Sequence, residues 1–177
     1  FIEESNTLNL NDEFSIVLTF YTDDDCNVSG QLQKEILYRQ GANLMIGLER
    51  DYENICWFRA FIKYNQKEEE SYPTQEVKFR YDHSSSKKNN LYHIVFIFKK
   101  DSHLRLYRNG VLMDEEAPRY RAGVLISTDQ ENNYSIGARI KSDASIDRTF
   151  KTSLVNIRMY ARALESAEVQ TLYRLET

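Results

Sequence analysis

The run His103-Leu104-Arg105-Leu106-Tyr107-Arg108-Asn109-Gly110-Val111-Leu112-Met113 decides the fold class. Asn-Gly between two alternating runs is the strongest short-range hairpin signal, because a type I′ turn needs positive φ at both central residues. The run therefore predicts two antiparallel strands joined at Asn109-Gly110. Just before it, Tyr92 to Phe98 is apolar on both faces, which places it as a central strand. Further back, Phe14, Ile16, Leu18 and Phe20 alternate with Ser15, Val17, Thr19 and Tyr21, a strand with one strongly apolar face. Ile36 to Arg39, Leu44 to Leu48, Cys56 to Tyr64 and Glu76 to Tyr81 read as strands between these two. Tyr134 to Ala138 and Leu154 to Tyr160 follow the hairpin as further strands. Many short strands with turns between them predict an all-β fold, a two-sheet antiparallel jelly-roll sandwich. Only Leu164 to Leu175 reads as helix, with Leu164, Ala167, Val169, Leu172 and Leu175 on one face. Glu165 and Glu168 near its start and Arg174 near its end suit the helix dipole.

The chain has 177 residues, which suits one domain spanning 1–177. A chain of this size buries roughly two-thirds or more of its unfolded surface, so it needs no disulfide or metal to fold. The net charge is −4, with 23 basic residues scattered among 27 acidic ones. No basic stripe is long enough to track phosphates, so no nucleic-acid partner is expected. No apolar run approaches the roughly 18–20 residues of a spanning helix, so no membrane insertion is expected. The chain begins with Phe1 rather than Met, which reads as a processed chain or a segment of a larger protein with other domains. Cys26 and Cys56 are too few for a disulfide framework, and leave open one bridge or two free thiols. Two glycosylation sequons, Asn27-Val28-Ser29 and Asn133-Tyr134-Ser135, matter only in a secreted protein. The polar loops include Asp23-Asp24-Asp25, Gln66 to Ser71, Asp82 to Asn90 and Lys141 to Thr149.

Three motifs in order resemble one family. Leu91-Tyr92-His93-Ile94-Val95-Phe96-Ile97, followed by Leu104-Arg105-Leu106-Tyr107-Arg108-Asn109-Gly110, resembles the central hairpin of laminin-G-like domains of the concanavalin-A-like lectin and glucanase superfamily. Tyr134-Ser135-Ile136-Gly137 looks like the family's "Y-x-I-G" strand. Ile157-Arg158-Met159-Tyr160-Ala161-Arg162-Ala163-Leu164 looks like its closing strand and entry to the last helix. The resemblance runs from about Phe14 to Tyr173 and implies a curved sandwich with a structural histidine at His93. It also implies a weak point. Where the family has an Asp that helps hold a structural calcium, this chain has Val155.

The resemblance raises catalysis as one reading. Jelly-roll glucanases carry E-x-D-x-E on a strand, and Glu49-Arg50-Asp51-Tyr52-Glu53 has that spacing. Alternate residues on a strand share a face, so the outer carboxylates would serve as nucleophile and acid about 5 Å apart. The competing reading is a hairpin turn over Asp51 to Asn54, between Leu48 and Ile55, and it makes a non-enzyme the expectation. Asp23, Asp24 and Asp25 are the candidate ligands for Ca²⁺, a hard cation that takes several oxygens, with Asp143 and Asp147 weaker. Otherwise no cofactor is expected. His83, His93 and His103 have no His or Cys partner at metal-binding spacing. No glycine-rich phosphate loop is present.

Aromatic residues are plentiful, with 12 Tyr. Tyr and Trp offer an apolar face with a polar tip, which suits both sugar rings and protein interfaces. The candidate ligand-binding residues are Trp57, Tyr64, Tyr72, Tyr81, Tyr120 and Arg121. Aromatic residues also favour strands for packing alone, so some of these belong to the core. The functional expectation is a non-catalytic recognition module for carbohydrate or glycoconjugate, extracellular or at a cell surface. A protein-interaction or structural adhesion domain is the alternative, and a glycoside hydrolase the third reading.

Overall fold

The computed structural model describes residues 12–22, 33–39, 44–63, 74–81, 91–117, 134–140 and 144–177. Two five-stranded antiparallel sheets make up the fold. The first is built from β1 (Glu13–Thr22), β6 (Leu91–Lys99), β7 (His103–Arg108), β8 (Val111–Glu116) and β12 (Thr152–Tyr160), in the order β12-β1-β6-β7-β8. The second is built from β2 (Gln33–Arg39), β3 (Leu44–Arg50), β4 (Cys56–Lys63), β5 (Thr74–Arg80) and β9 (Tyr134–Ile136), in the order β5-β4-β3-β2-β9. A small two-stranded piece joins β10 (Arg139–Ile140), just before the loop read from sequence over Lys141 to Thr149, to β11 (Ile146–Asp147) inside it. Two-residue strands carry no readable period, which is why the pattern misses them.

The alternation in the sequence dictates which side chains face in. Phe14, Ile16, Leu18 and Phe20 of β1 meet Leu44, Ile46 and Leu48 of β3 and Phe58, Ala60 and Ile62 of β4 in one buried cluster. Aromatic rings join the sheets. Phe58 stacks on Phe79 at 5.3 Å and on Phe20 at 6.4 Å, and Phe20 stacks on Tyr92 at 5.5 Å. One side of the sandwich is closed by β5 against β8, where the Lys78 backbone N–H donates to Asp114 Oδ2 at 2.8 Å.

The Asn109-Gly110 turn forms as expected, with φ of 51° and 77°. It is pinned from both sides. Asn109 Oδ1 accepts from the His93 backbone N–H at 3.0 Å, and the Asn109 N–H donates to the His93 carbonyl at 2.7 Å. A methyl group on Gly110 would press on the Tyr173 ring. Gly137, at φ 78°, turns the chain out of β9, which ends at Ile136 rather than running on to Ala138.

The outer face of the first sheet is apolar on β6, and the helix α1 (Ser166–Glu176) covers it. Val169 and Leu164 pack on Val17, Val95, Ile97 and Tyr107. This second core explains why β6 is apolar on both faces. The helical face differs from the sequence reading: Ala167 and Leu175 are exposed, and Tyr173 turns toward the sheet, its ring 5.7 Å from His93. The hairpin tip and the buried histidine give Tyr173 a place to pack that helical periodicity alone does not show.

A polar cluster locks the end of that helix. Glu176 accepts from Thr19 Oγ1 at 2.5 Å and Asn156 Nδ2 at 3.4 Å, and pairs with Arg158 at 3.0 Å. Fully buried His93 lies 3.8 Å from the same carboxylate, with neither ring nitrogen hydrogen-bonded. Burial pushes the His93 pKa down, Glu176 opposes that, and Arg158 adds to it. A folded-state pKa below the ordinary 6.5 means that the unfolded chain binds the proton more readily. Stability from this group is therefore full above about pH 6.5 and is lost as the pH falls toward the folded-state pKa. Unfolding free energies from denaturant titrations between pH 7.5 and 5.5 are expected to fall with a slope of up to about 1.4 kcal/mol per pH unit. His93→Asn should flatten that slope. An unchanged slope in the variant would assign the acid sensitivity to other groups, His103 first among them, because burial lowers its pKa as well.

Candidate functional site

The outer face of the second sheet carries a polar network that is part-exposed at Gln33, Glu49, Trp57 and Arg59 and buried at Glu35, Met45 and Phe61. Its residues alternate with core positions, so their placement follows from strand period alone. Cross-strand register arranges them in three rows. Gln33, Glu49, Trp57 and Arg80 form the first, Glu35, Gly47, Arg59 and Lys78 the second, and Met45, Phe61 and Glu76 the third.

Charges of opposite sign alternate across these rows. Gln33 Nε2 donates to Glu49 Oε1 at 2.6 Å. Arg59 pairs with Glu49, and its Nη1 is 3.5 Å from Glu76. Lys78 Nζ bonds Glu76 at 2.9 Å and sits 5.2 Å from the centre of the Trp57 ring. The Arg59 guanidinium lies 4.9 Å from the centre of the Phe61 ring. Burial pulls the Arg59 pKa down, and the Glu76 carboxylate counters it.

Glu35 is the unusual member. It is 1% exposed, and its Oε1 pairs with Arg148 Nη1 at 2.8 Å. The same Arg148 accepts the Glu35 backbone N–H on its carbonyl at 2.9 Å, at a position with φ of 51°. Burial raises the Glu35 carboxyl above the ordinary range, against the pull of Arg148. Its Oε2 and the Nε of Arg59 are buried without a hydrogen-bond partner. An unsatisfied buried polar atom costs about 1–3 kcal/mol, so two on one face call for an explanation. Gly47 stands between these two side chains in the register and places no side chain of its own there.

Trp57 is on this face, half-buried, with its indole N–H donated to Asp51 Oδ2 at 2.8 Å. Tyr81 is a correction: it is 4% exposed, its ring packs 5.9 Å from Tyr92, and it offers no surface to a ligand. Its inward position follows the alternation through Val77 and Phe79. Tyr64, Tyr72, Tyr120 and Arg121 lie outside the described residues, as do Asp23, Asp24, Asp25, Asp143, His83 and Cys26. Glu35, Arg59 and Phe61 were missed from sequence. The alternation through Cys56 to Tyr64 already places Arg59 and Phe61 beside Trp57, whereas the burial of Glu35 depends on distant Arg148.

The glucanase-like spacing folds as a turn. Glu49 lies on β3, and the chain reverses over Asp51 to Ile55. Asp51 accepts from the backbone N–H groups of Glu53 and Ile55 at 2.9 and 2.8 Å. The Trp57 indole, followed by these amides, holds the Asp51 carboxyl below the usual range. Glu49 is occupied by Gln33 and Arg59, while Glu53 is exposed in the turn. The three acids do not line one strand facing a groove.

Among the described residues no group of three or more His, Cys, Asp or Glu is placed to hold a metal ion. Val155 occupies an extra position in β12, where the register to β1 shifts, and is 57% exposed. Between β12 and α1 lies a pocket of about 310 Å³. Its polar groups are already engaged: Arg162 with Glu168, and Thr171 with the Ala167 carbonyl.

A laminin-G-type profile of the concanavalin A-like lectin/glucanases superfamily matches residues 4–170. The chain belongs to that superfamily. No curated protein matches. Among solved structures, the chain is similar to the binding domain of botulinum neurotoxin DC in complex with rat synaptotagmin II, with a TM-score of 0.64 and 15% identity over 98% of this chain and 38% of that one. The same neurotoxin's binding domain in complex with SialylT gives 0.61 and 15% identity, over 96% of this chain and 37% of that chain. The serotype G binding domain gives 0.63 and 15%, over 98% and 39%. The chain therefore spans less than two-fifths of these binding domains, and the likeness is one of fold.

Proposed function

We propose that this chain is a non-catalytic recognition module that binds carbohydrate on the outer face of the second sheet. The observation that carries the reading is the part-exposed group Gln33, Glu49, Trp57 and Arg59, which adjacent strands of the outer face bring together. Sugar hydroxyls donate and accept at once, so they can bond the part-exposed Gln33 amide, Glu49 carboxylate and Arg59 guanidinium together. Trp57 supplies the apolar surface on which a sugar ring rests. The superfamily's fold supports a binding role, though fold alone does not name the ligand.

The module is best read as one domain, 1–177, of a larger chain at a cell surface or outside the cell. Cys56 is disulfide-bonded, and the chain has one other cysteine, Cys26. Disulfides persist in oxidising compartments, which favours that location. Among the described residues no helix is long and apolar enough to cross a membrane.

A glycan array read with and without calcium, followed by titration of the best neutral binder, tests the reading. Trp57→Ala and Arg59→Gln are each expected to weaken binding at least tenfold while the circular dichroism spectrum is unchanged. An array with no binder in either condition would remove the proposal. A protein ligand is the second reading, carried by edge strand β8, where Val111, Leu112 and Met113 are 61%, 44% and 40% exposed. Exposed apolar side chains of this kind can anchor a protein partner. Met113→Lys would then abolish partner binding and leave any glycan binding intact.

A further inference from the structure

We propose that the end of the sandwich holding Arg50 and Arg108 is a second binding site, which takes the carboxylate or sulfate of an acidic glycan. The inference rests on the carbohydrate reading above for what carries the anion. The site itself rests on different residues, away from the outer-face rows.

Both arginines occupy inward-facing positions at one end of the two sheets. Leu48 points into the core and Glu49 points out, so Arg50 turns in again. Its cross-strand partner is Cys56, which packs against the core. The Tyr81 backbone N–H donates to the Cys56 carbonyl at 2.8 Å, and the Tyr81 and Tyr92 hydroxyls are 3.5 Å apart. Arg108 lies over Tyr92, 5.2 Å from the ring centre, and 5.7 Å from that of Phe79. Cys56, Tyr81 and Tyr92 thus lie between the two arginine positions in the fold.

Arginines that are drawn into a protein are normally paired with acids. Among the described residues neither of these has a carboxylate partner. Asp51, next to Arg50, is taken by Glu53, Ile55 and Trp57, and Glu49 by Gln33 and Arg59. The Nε of Arg50 is buried and unbonded. Aromatic faces hold Arg108 in place, which pre-organises the cation and leaves its N–H groups for a ligand. A guanidinium fork matches the paired oxygens of a carboxylate or sulfate. The net charge of −4 also works against a polyanion such as nucleic acid.

The test titrates 3′-sialyllactose, a sulfated disaccharide and neutral lactose into the purified chain by calorimetry. A parallel titration follows the Arg Nε resonances by NMR in sodium sulfate at fixed ionic strength. At least one acidic sugar should bind tenfold or more tighter than lactose. Arg50→Gln and Arg108→Gln should each erase that preference, and Arg108→Lys should weaken it. The Arg50 and Arg108 resonances should shift saturably with sulfate. Flat resonances overturn the anion site whatever the sugars do. Equal binding of acidic and neutral sugars overturns this proposal alone, and no binding of any sugar overturns the glycan reading on which it rests. Thermal midpoints of the variants within a few degrees of the parent exclude unfolding as the cause.

Discussion

Gly47→Ala is expected to destabilise the sandwich by about 3 kcal/mol and to lower its melting temperature by about 6–12 °C. The reason is local and backbone-on-backbone. A Cβ built on Gly47 runs into the carbonyl oxygen of Lys34 on the neighbouring strand. The approach is that close because the register between β2 and β3 shifts between Glu35 and Leu37. No side-chain rotation relieves a clash with a carbonyl; either β2 moves or the pairing breaks. Moving β2 would also move Glu35 away from Arg148, so the variant should lose affinity for any outer-face ligand as well as stability. A scanning-calorimetry trace of Gly47→Ala within 1–2 °C of the parent would show that the shift in register is more pliable than argued.

Phe58→Ala is expected to cost about 3–5 kcal/mol, the range for deleting a large aromatic from a packed core. Phe58 is buried, with Phe20 of the opposite sheet on one side and Phe79 of its own sheet on the other. Its ring is what the two sheets share at that end, so the cavity cannot close by shifting one side chain. Phe58→Leu keeps more of the volume and should cost clearly less. Urea midpoints measure both, with an unchanged m-value showing that the loss is one of stability rather than of a changed unfolded state. Equal midpoints for Phe58→Ala and the parent would mean that the stack is not a cross-sheet support.

The elements of the first sheet were legible in sequence because each carries its own period. The alternation of Phe14 to Phe20, the two-faced apolar run of β6 and the Asn109-Gly110 turn are local signals, and each reports its own burial. The second sheet's strands were legible for the same reason. What was hidden depends on residues far apart in the chain. Glu35 reads as an ordinary charged residue until Arg148 covers it. The turn over Asp51 to Asn54, by contrast, was legible, and it leaves only Glu49 of the glucanase-like spacing on a strand. Tyr81 and Trp57 have similar chemistry, and only the parity of their positions on neighbouring strands separates a core residue from a surface one. The exposure of Leu175 has a similar origin, since helical periodicity does not reveal that Tyr173 finds a partner in His93.

The pairing of β1 has a consequence for how the chain is made. This strand lies between β6 and β12, and Ser15 Oγ donates to the carbonyl of Arg162, 147 residues further on. During synthesis β1 must wait with its backbone unpaired on one side until β12 emerges. Such long-range closure is slow, because the loop entropy is spent before the contact rewards it. The helix that follows β12 then seats on β6 and fastens Glu176 to Thr19 in β1. Nascent chains stalled short of Arg162 should therefore remain open to protease and in need of a chaperone, whereas chains extended past Glu176 should become resistant in one late step.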